Sequence, residues 1–167
     1  GSKTPILVSC KRERRSCSKS FYYSLKMTSS WWKIDEESYN SFSGLEDVEK
    51  EPFLASKCGI GSVQDNERAL CVFELIFHLV EFNSTQKFSY EQSKTIMDVY
   101  STIFDTYIVD TSSETDSSQA ISEFSTAIKS SQLFDYDQSK SIAQYFATSL
   151  IRPWFAYKEI FLSLPTE

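Results

Sequence analysis

Glycine and proline are scarce in this chain of 167 residues, with four of each. So few chain breakers leave little room for the many tight turns of a sandwich or barrel, and they favour long helices. Histidine occurs once, at His78. A serine hydrolase needs a base beside its nucleophile, and a lone imidazole inside an apolar segment reads as a core or edge residue. The four cysteines, Cys10, Cys17, Cys58 and Cys71, form no Cys-x-x-Cys pair. Zinc wants about four N or S ligands at close spacing, so these read as reduced structural thiols in a cytosolic setting. No apolar run reaches the roughly 18–20 residues of a membrane span. The intensely apolar stretch 70–80 is too short and reads as a buried helix, and residues 4–8 are too brief for a signal-peptide core. Gly59-Ile60-Gly61 lacks the third glycine and the preceding strand of a phosphate-binding turn. No cofactor, metal or catalytic activity is expected.

What the chain does have is aromatic bulk, 15% of residues, within an apolar content of 41%. Its net charge of −6 is unevenly spread. Residues 1–28 hold seven Lys/Arg (Lys3, Lys11, Arg12, Arg14, Arg15, Lys19, Lys26) against the single acid Glu13, a balance of +6 that leaves −12 for the rest. An acidic body repels nucleic acid and favours basic partners. The lead is basic and lacks helical periodicity. Met27-Thr-Ser-Ser-Trp-Trp has the look of a natural start, so residues 1–28 are expected to be non-native or disordered. Residues 29–164 are expected to form one all-α domain.

Within that domain a nine-residue phrase occurs twice, 46 residues apart. Phe88-Ser-Tyr-Glu-Gln-Ser-Lys-Thr-Ile96 and Phe134-Asp-Tyr-Asp-Gln-Ser-Lys-Ser-Ile142 share six positions. Each reads as an aromatic anchor followed by a capped helix start. Ser89 with Gln92, and Asp135 with Gln138, have the spacing of a capping box. Neither phenylalanine has an apolar residue at the staple position, because Ser93 and Ser139 stand there. Each of Phe88 and Phe134 is therefore expected to pack on the preceding helix of its own hairpin.

Apolar periodicity places a helix over 66–82, a second from the first phrase to 110, a third over 118–130 and a fourth from the second phrase to 151. Shifting by 46 lays Leu75, His78 and Phe82 on Ile121, Phe124 and Ile128. The expected fold is a compact helical bundle built from two helix-hairpin units, 66–110 and 117–151. An opening segment, 31–57, precedes them, with a helix broken near Gly44 and a second ending before Pro52. Residues 57–66 read as a loop. Pro153 is expected to kink the chain or start a last helix over 153–164.

Asp135-x-Asp137-x-Ser139 looks like the opening of a calcium loop. Lys140 stands where glycine is needed and Phe146 where the closing glutamate belongs, so capping explains these residues better. The acidic Ser/Thr-rich run around Glu114 and Asp116 reads as a linker or phosphosite.

In the doubled phrase and the last aromatic segment the chain resembles the CLAMP-domain family of the flagellar central apparatus. These are projection subunits related to ciliary calcium-binding coiled-coil proteins. The likeness rests on Trp32-Lys-Ile-Asp35, the apolar helix at 70–82, Phe88-x-x-x-Gln92, Leu133-Phe134-x-x-x-Gln138 and Tyr157-Lys-Glu-Ile160-Phe161, together spanning residues 32–161. The chain departs from the family at Arg152-Pro-Trp-Phe-Ala, where the family has a basic stretch.

The resemblance implies a non-catalytic structural or adaptor subunit of the ciliary or flagellar axoneme. Its partners would be other central-apparatus proteins with helical scaffolds, and its location the cytoplasm and axoneme, with no membrane. Trp31, Trp32, Trp154, Phe155 and Tyr157 are the expected partner contacts, and the competing reading of each is a core side chain. Two alternatives stand beside this. One is a calcium- or calmodulin-linked regulator of ciliary motility. The other is nucleic-acid binding through the basic lead, which the acidic body disfavours.

Overall fold

The apolar stretch around residue 75 forms the longest helix of the structure, a computed structural model that describes residues 34–58, 67–109 and 116–162. The described residues form seven α-helices and no strand. In chain order these are α1 (Glu36–Phe42), α2 (Asp47–Cys58), α3 (Glu67–Thr85), α4 (Tyr90–Phe104), α5 (Ser117–Ser131), α6 (Tyr136–Phe146) and α7 (Trp154–Leu162). α4 runs on into a π-helical turn, Asp105–Val109, and α6 into another, Ala147–Ile151. The result is an all-α bundle. The lead lies outside the described residues, as does most of the expected loop at 57–66.

Local chemistry explains most boundaries. Asp35 caps α1, its carboxylate accepting the Ser38 N–H at 2.8 Å. α2 does not stop before Pro52 as expected, but continues through it to Cys58. A proline in a helix leaves the carbonyl four residues earlier without its N–H partner. Here Val48 and Pro52 are both exposed, so that carbonyl sits on the solvent side, where the cost is small. Lys87 and Gln132 take left-handed backbone conformations, φ 62° and 58°, at the ends of α3 and α5. Glycine usually marks such ends. Its absence hid both from the sequence.

Both copies of the phrase begin a helix with a complete capping box. The Ser89 hydroxyl accepts the Gln92 N–H at 3.1 Å and the Gln92 side chain accepts the Ser89 N–H at 2.9 Å. The corresponding distances at Asp135 and Gln138 are 2.7 and 2.9 Å. The buried spine that follows keeps the 46-residue offset. Ile96 and Ile142, Tyr100 and Phe146, Phe104 and Leu150, and Ile108 and Trp154 are all buried.

The helices before the phrases are not alike. α3 buries Val72, Phe73, Ile76, Leu79, Val80 and Asn83. The residues 46 further on are Ser118, Gln119, Ser122, Ser125, Thr126 and Lys129. α3 is enclosed, whereas α5 presents a polar face to solvent. The expected pairing of His78 with Phe124 fails for this reason, since His78 is exposed and Phe124 buried.

The two phrases meet in space. Gln92 Nε2 donates to the Leu133 carbonyl at 2.8 Å. The Phe88 and Phe134 rings are edge-on at 5.7 Å. Phe88 also meets Phe82 of α3, as expected, at 6.1 Å. Phe134 packs on Phe88 of the other unit, because the paired caps bring the two anchors together. α1 closes over this junction. Tyr39 Oη donates to the Phe88 carbonyl at 2.9 Å and accepts from Ser93 Oγ, and Tyr90 Oη donates to the Ile34 carbonyl at 3.2 Å.

Deeper in, Phe124 and Phe146 stack at 3.9 Å, with Tyr100 edge-on to Phe146 at 5.5 Å. Asn83 is fully buried, and neither polar atom of its side chain has a hydrogen-bond partner among the described residues. An unpaired buried amide costs about 1–3 kcal/mol. Asn83→Leu, similar in size and without that cost, is therefore expected to raise the melting temperature by a few degrees. A lower melting temperature would show that the amide is paired.

Candidate partner-docking face

The last described segment is Trp-Phe-Ala-Tyr-Lys-Glu-Ile-Phe-Leu, and its inward face follows helical spacing. Trp154, Tyr157, Lys158 and Phe161 recur at i, i+3, i+4 and i+7. Phe161 and Tyr157 sit edge-on to Phe104 at 5.3 and 6.0 Å. Trp154 meets Tyr107 of the first π turn at 6.4 Å. Lys158 is buried, and its Nζ donates to the Tyr107 carbonyl at 3.1 Å. Tyr107 in turn donates its hydroxyl to Glu123 of α5. α7 is thus held by aromatic packing and by a polar chain running from Lys158 through the π turn to α5.

The hydrogen bond to Glu123, more than burial, pushes the Tyr107 phenol up to about 12. A folded-state value above the usual 10 means that this contact stabilises the fold fully below pH 10 and is lost as pH rises from 10 through about 12. Glu123→Gln is expected to bring the Tyr107 titration down toward the ordinary tyrosine range, read by NMR of labelled tyrosine. An unmoved titration would show that the carboxylate is not its cause.

The expected contact residues fall in three places. Trp31 and Trp32 lie outside the described residues. Trp154, expected at the surface, is 3% exposed and belongs to the core. Pro153 starts the helix so that Trp154 faces Tyr107. Its Nε1 has no hydrogen-bond partner among the described residues, so its place rests on apolar packing. Phe155, one residue on, is 83% exposed, and Tyr157 is half-buried.

Tyr157 lines an open groove of about 560 Å³ between α3 and the α6–α7 corner, together with His78, Glu81, Phe82, Tyr145 and Pro153. Phe82 and Tyr145 stack at 4.3 Å in it. Burial is the main cause that raises the phenols of Tyr145 and Tyr157, the latter to about 12, and they stay neutral. His78 Nδ1 stands 3.8 Å from Glu81 Oε1.

Two of the groove's hydroxyls are engaged elsewhere. Ser149 Oγ lies 2.8 Å from Tyr100 Oη, and Thr148 donates to the carbonyls of Gln144 and Tyr145. No hydrogen bond joins either to His78 among the described residues, so no nucleophile–base pair is assembled. Burial raises the Cys71 thiol to about 12, which keeps it out of the thiolate form. Asp135, first donor of the incomplete calcium motif, has its carboxylate on the Gln138 N–H. Among the described residues no cluster of three His, Cys, Asp or Glu could hold a metal, and no helix is long and apolar enough to cross a membrane. The face is an aromatic groove with a phenylalanine outside it.

The same span is where the chain matches known sequence. The family model CLAMP, flagellar C1a complex subunit C1a-32, matches residues 78–167. The chain belongs to the CLAMP family. The match includes both copies of the phrase, α4 to α7, and all the groove residues named above. The Trp32-Lys-Ile-Asp35 part of the likeness lies outside it. Among curated proteins and among solved structures, nothing matches.

Sequence reasoning missed Lys158 and Tyr107. The signal was present, since Lys158 falls on the apolar stripe of α7, where a charged residue is buried only with a partner. The identity of that partner, a carbonyl in a π turn 51 residues earlier, is a tertiary fact.

Proposed function

We propose that this chain is a non-catalytic subunit of the C1a projection of the axonemal central apparatus, and that it works by docking to other subunits. The observation that carries the reading is the CLAMP match over residues 78–167, which includes the helix that leaves Phe155 outside. The open groove at Tyr157 and the exposed Phe155 supply the aromatic anchors that dominate protein–protein affinity. Their surroundings suit a helix laid into a groove.

The test is to express the tagged full chain in a ciliated cell and locate it by immuno-electron microscopy. It is expected on the central pair, and a signal elsewhere in the cell alone sinks the proposal. Phe155→Ala touches no core contact, so the melt is expected within about 0.5 kcal/mol of the parent. Retention on salt-washed axonemes is expected to fall severalfold. Full retention removes Phe155 from the docking face.

A further inference from the structure

A second, smaller groove opens between α5 and α6, and neither Phe155 nor Tyr157 lines it. It has a volume of about 240 Å³ and is lined by apolar Phe124, Ile128, Ile142, Ala143 and the ring of Tyr136. Tyr136 is 77% exposed, and Ile121, exposed one turn before Ser125, extends the apolar stripe along α5. Only four large apolar side chains are exposed among the described residues, and two of them stand here.

The charges lining this groove have one sign. Lys129 on α5 and Lys140 on α6 stand one on each wall, and no acid lines it. Neither lysine makes an ion pair among the described residues. This is unexpected in a chain of net charge −6, where cations are outnumbered and an unpaired pair flanking an apolar cleft is not the default.

We propose that the α5–α6 groove is a docking site for an amphipathic helix whose apolar stripe is flanked by carboxylates. The groove's size suits one or two apolar side chains, and the lysines on opposite walls would meet acids on either side of the stripe. Charge of this kind sets orientation and discriminates partners more than it adds affinity. A basic segment, including the chain's own lead at residues 1–28, is disfavoured by the same two lysines. The proposal adds a specific surface and partner chemistry to the docking role proposed above, and rests on that role for its setting in the axoneme.

The experiment uses the full chain and two synthetic helical peptides with one apolar stripe, flanked by glutamates in the first and lysines in the second. Binding is read by fluorescence anisotropy. The glutamate peptide is expected to bind about tenfold tighter than the lysine peptide, with the preference shrinking as salt rises. In the double variant Lys129→Glu/Lys140→Glu the order of preference is expected to invert. Both positions are exposed, so its thermal melt is expected to match the parent and to exclude misfolding as the cause. Ala143→Trp, which fills the groove and leaves both lysines, is expected to weaken the glutamate peptide at least tenfold. Equal binding of both peptides, no binding, or a preference that survives the charge reversal overturns the proposal. So does sedimentation showing self-association that the double variant abolishes, since the occupant would then be a second copy. Absence of the parent chain from the central pair, with the peptide preference intact, overturns the axonemal reading and leaves the groove assignment standing.

Discussion

Phe146→Ala is expected to lower the folding free energy by about 3–5 kcal/mol, the range for removing a fully packed aromatic from a core. For a chain of this size that is a fall of roughly ten degrees in melting temperature, measured by far-UV circular dichroism. Phe146 is 2% exposed and lies between the Phe124 ring, stacked at 3.9 Å, and the Tyr100 ring, edge-on at 5.5 Å. Truncation removes two aromatic contacts and opens a cavity among residues from α4, α5 and α6. Because the ring is shared, Phe124→Ala combined with Phe146→Ala is expected to cost less than the sum of the two single changes. A loss below about 1 kcal/mol would show that this stack does not hold the three helices together.

Phe104→Ala is expected to act at a distance, with a comparable global loss of about 3–5 kcal/mol and a local signature in α7. Phe104 has no exposed surface and receives both Phe161 and Tyr157. Without it α7 keeps Lys158 on the Tyr107 carbonyl and Trp154 on the Tyr107 ring, but loses the aromatic seat of its C-terminal half. Amide exchange in α7 is expected to speed up well beyond that in α3, since local opening follows the loss of buried contacts. Uniform acceleration across all helices would mean that α7 has no independent stability. The change also reaches the proposed docking face, because the same seat positions Tyr157 in its groove. Weaker axonemal retention of Phe104→Ala than its global stability explains is the expected consequence.

The helices were legible because their signals are local. Two capping boxes, one long apolar run and apolar stripes at helical spacing each specify a helix from neighbours within a few residues. Pro153 announced a new helix for the same reason. The capping boxes at Ser89 and Asp135 form as their residue types require, and the buried spines after them follow from a period that side chains at i and i+4 must obey. Pro52 misled because the cost of a helical proline depends on whether the carbonyl it orphans reaches solvent, which a sequence does not state. Trp154 misled because a tryptophan suits core and interface equally. A rotation of one residue, about a hundred degrees, puts Trp154 inside and Phe155 out.

By itself the sequence determined the all-helical class, the two capped helix starts, the spines behind them and the likeness to the CLAMP family, since all of these are written in residue type and short spacing. Tertiary structure alone decided that the two phrases lie side by side, that Phe134 meets Phe88, that Lys158 finds a carbonyl in a π turn, and that Lys129 and Lys140 flank a cleft. Each of those joins groups dozens of residues apart or on different helices. Only the packing of whole helices fixes such distances, and no local rule encodes them.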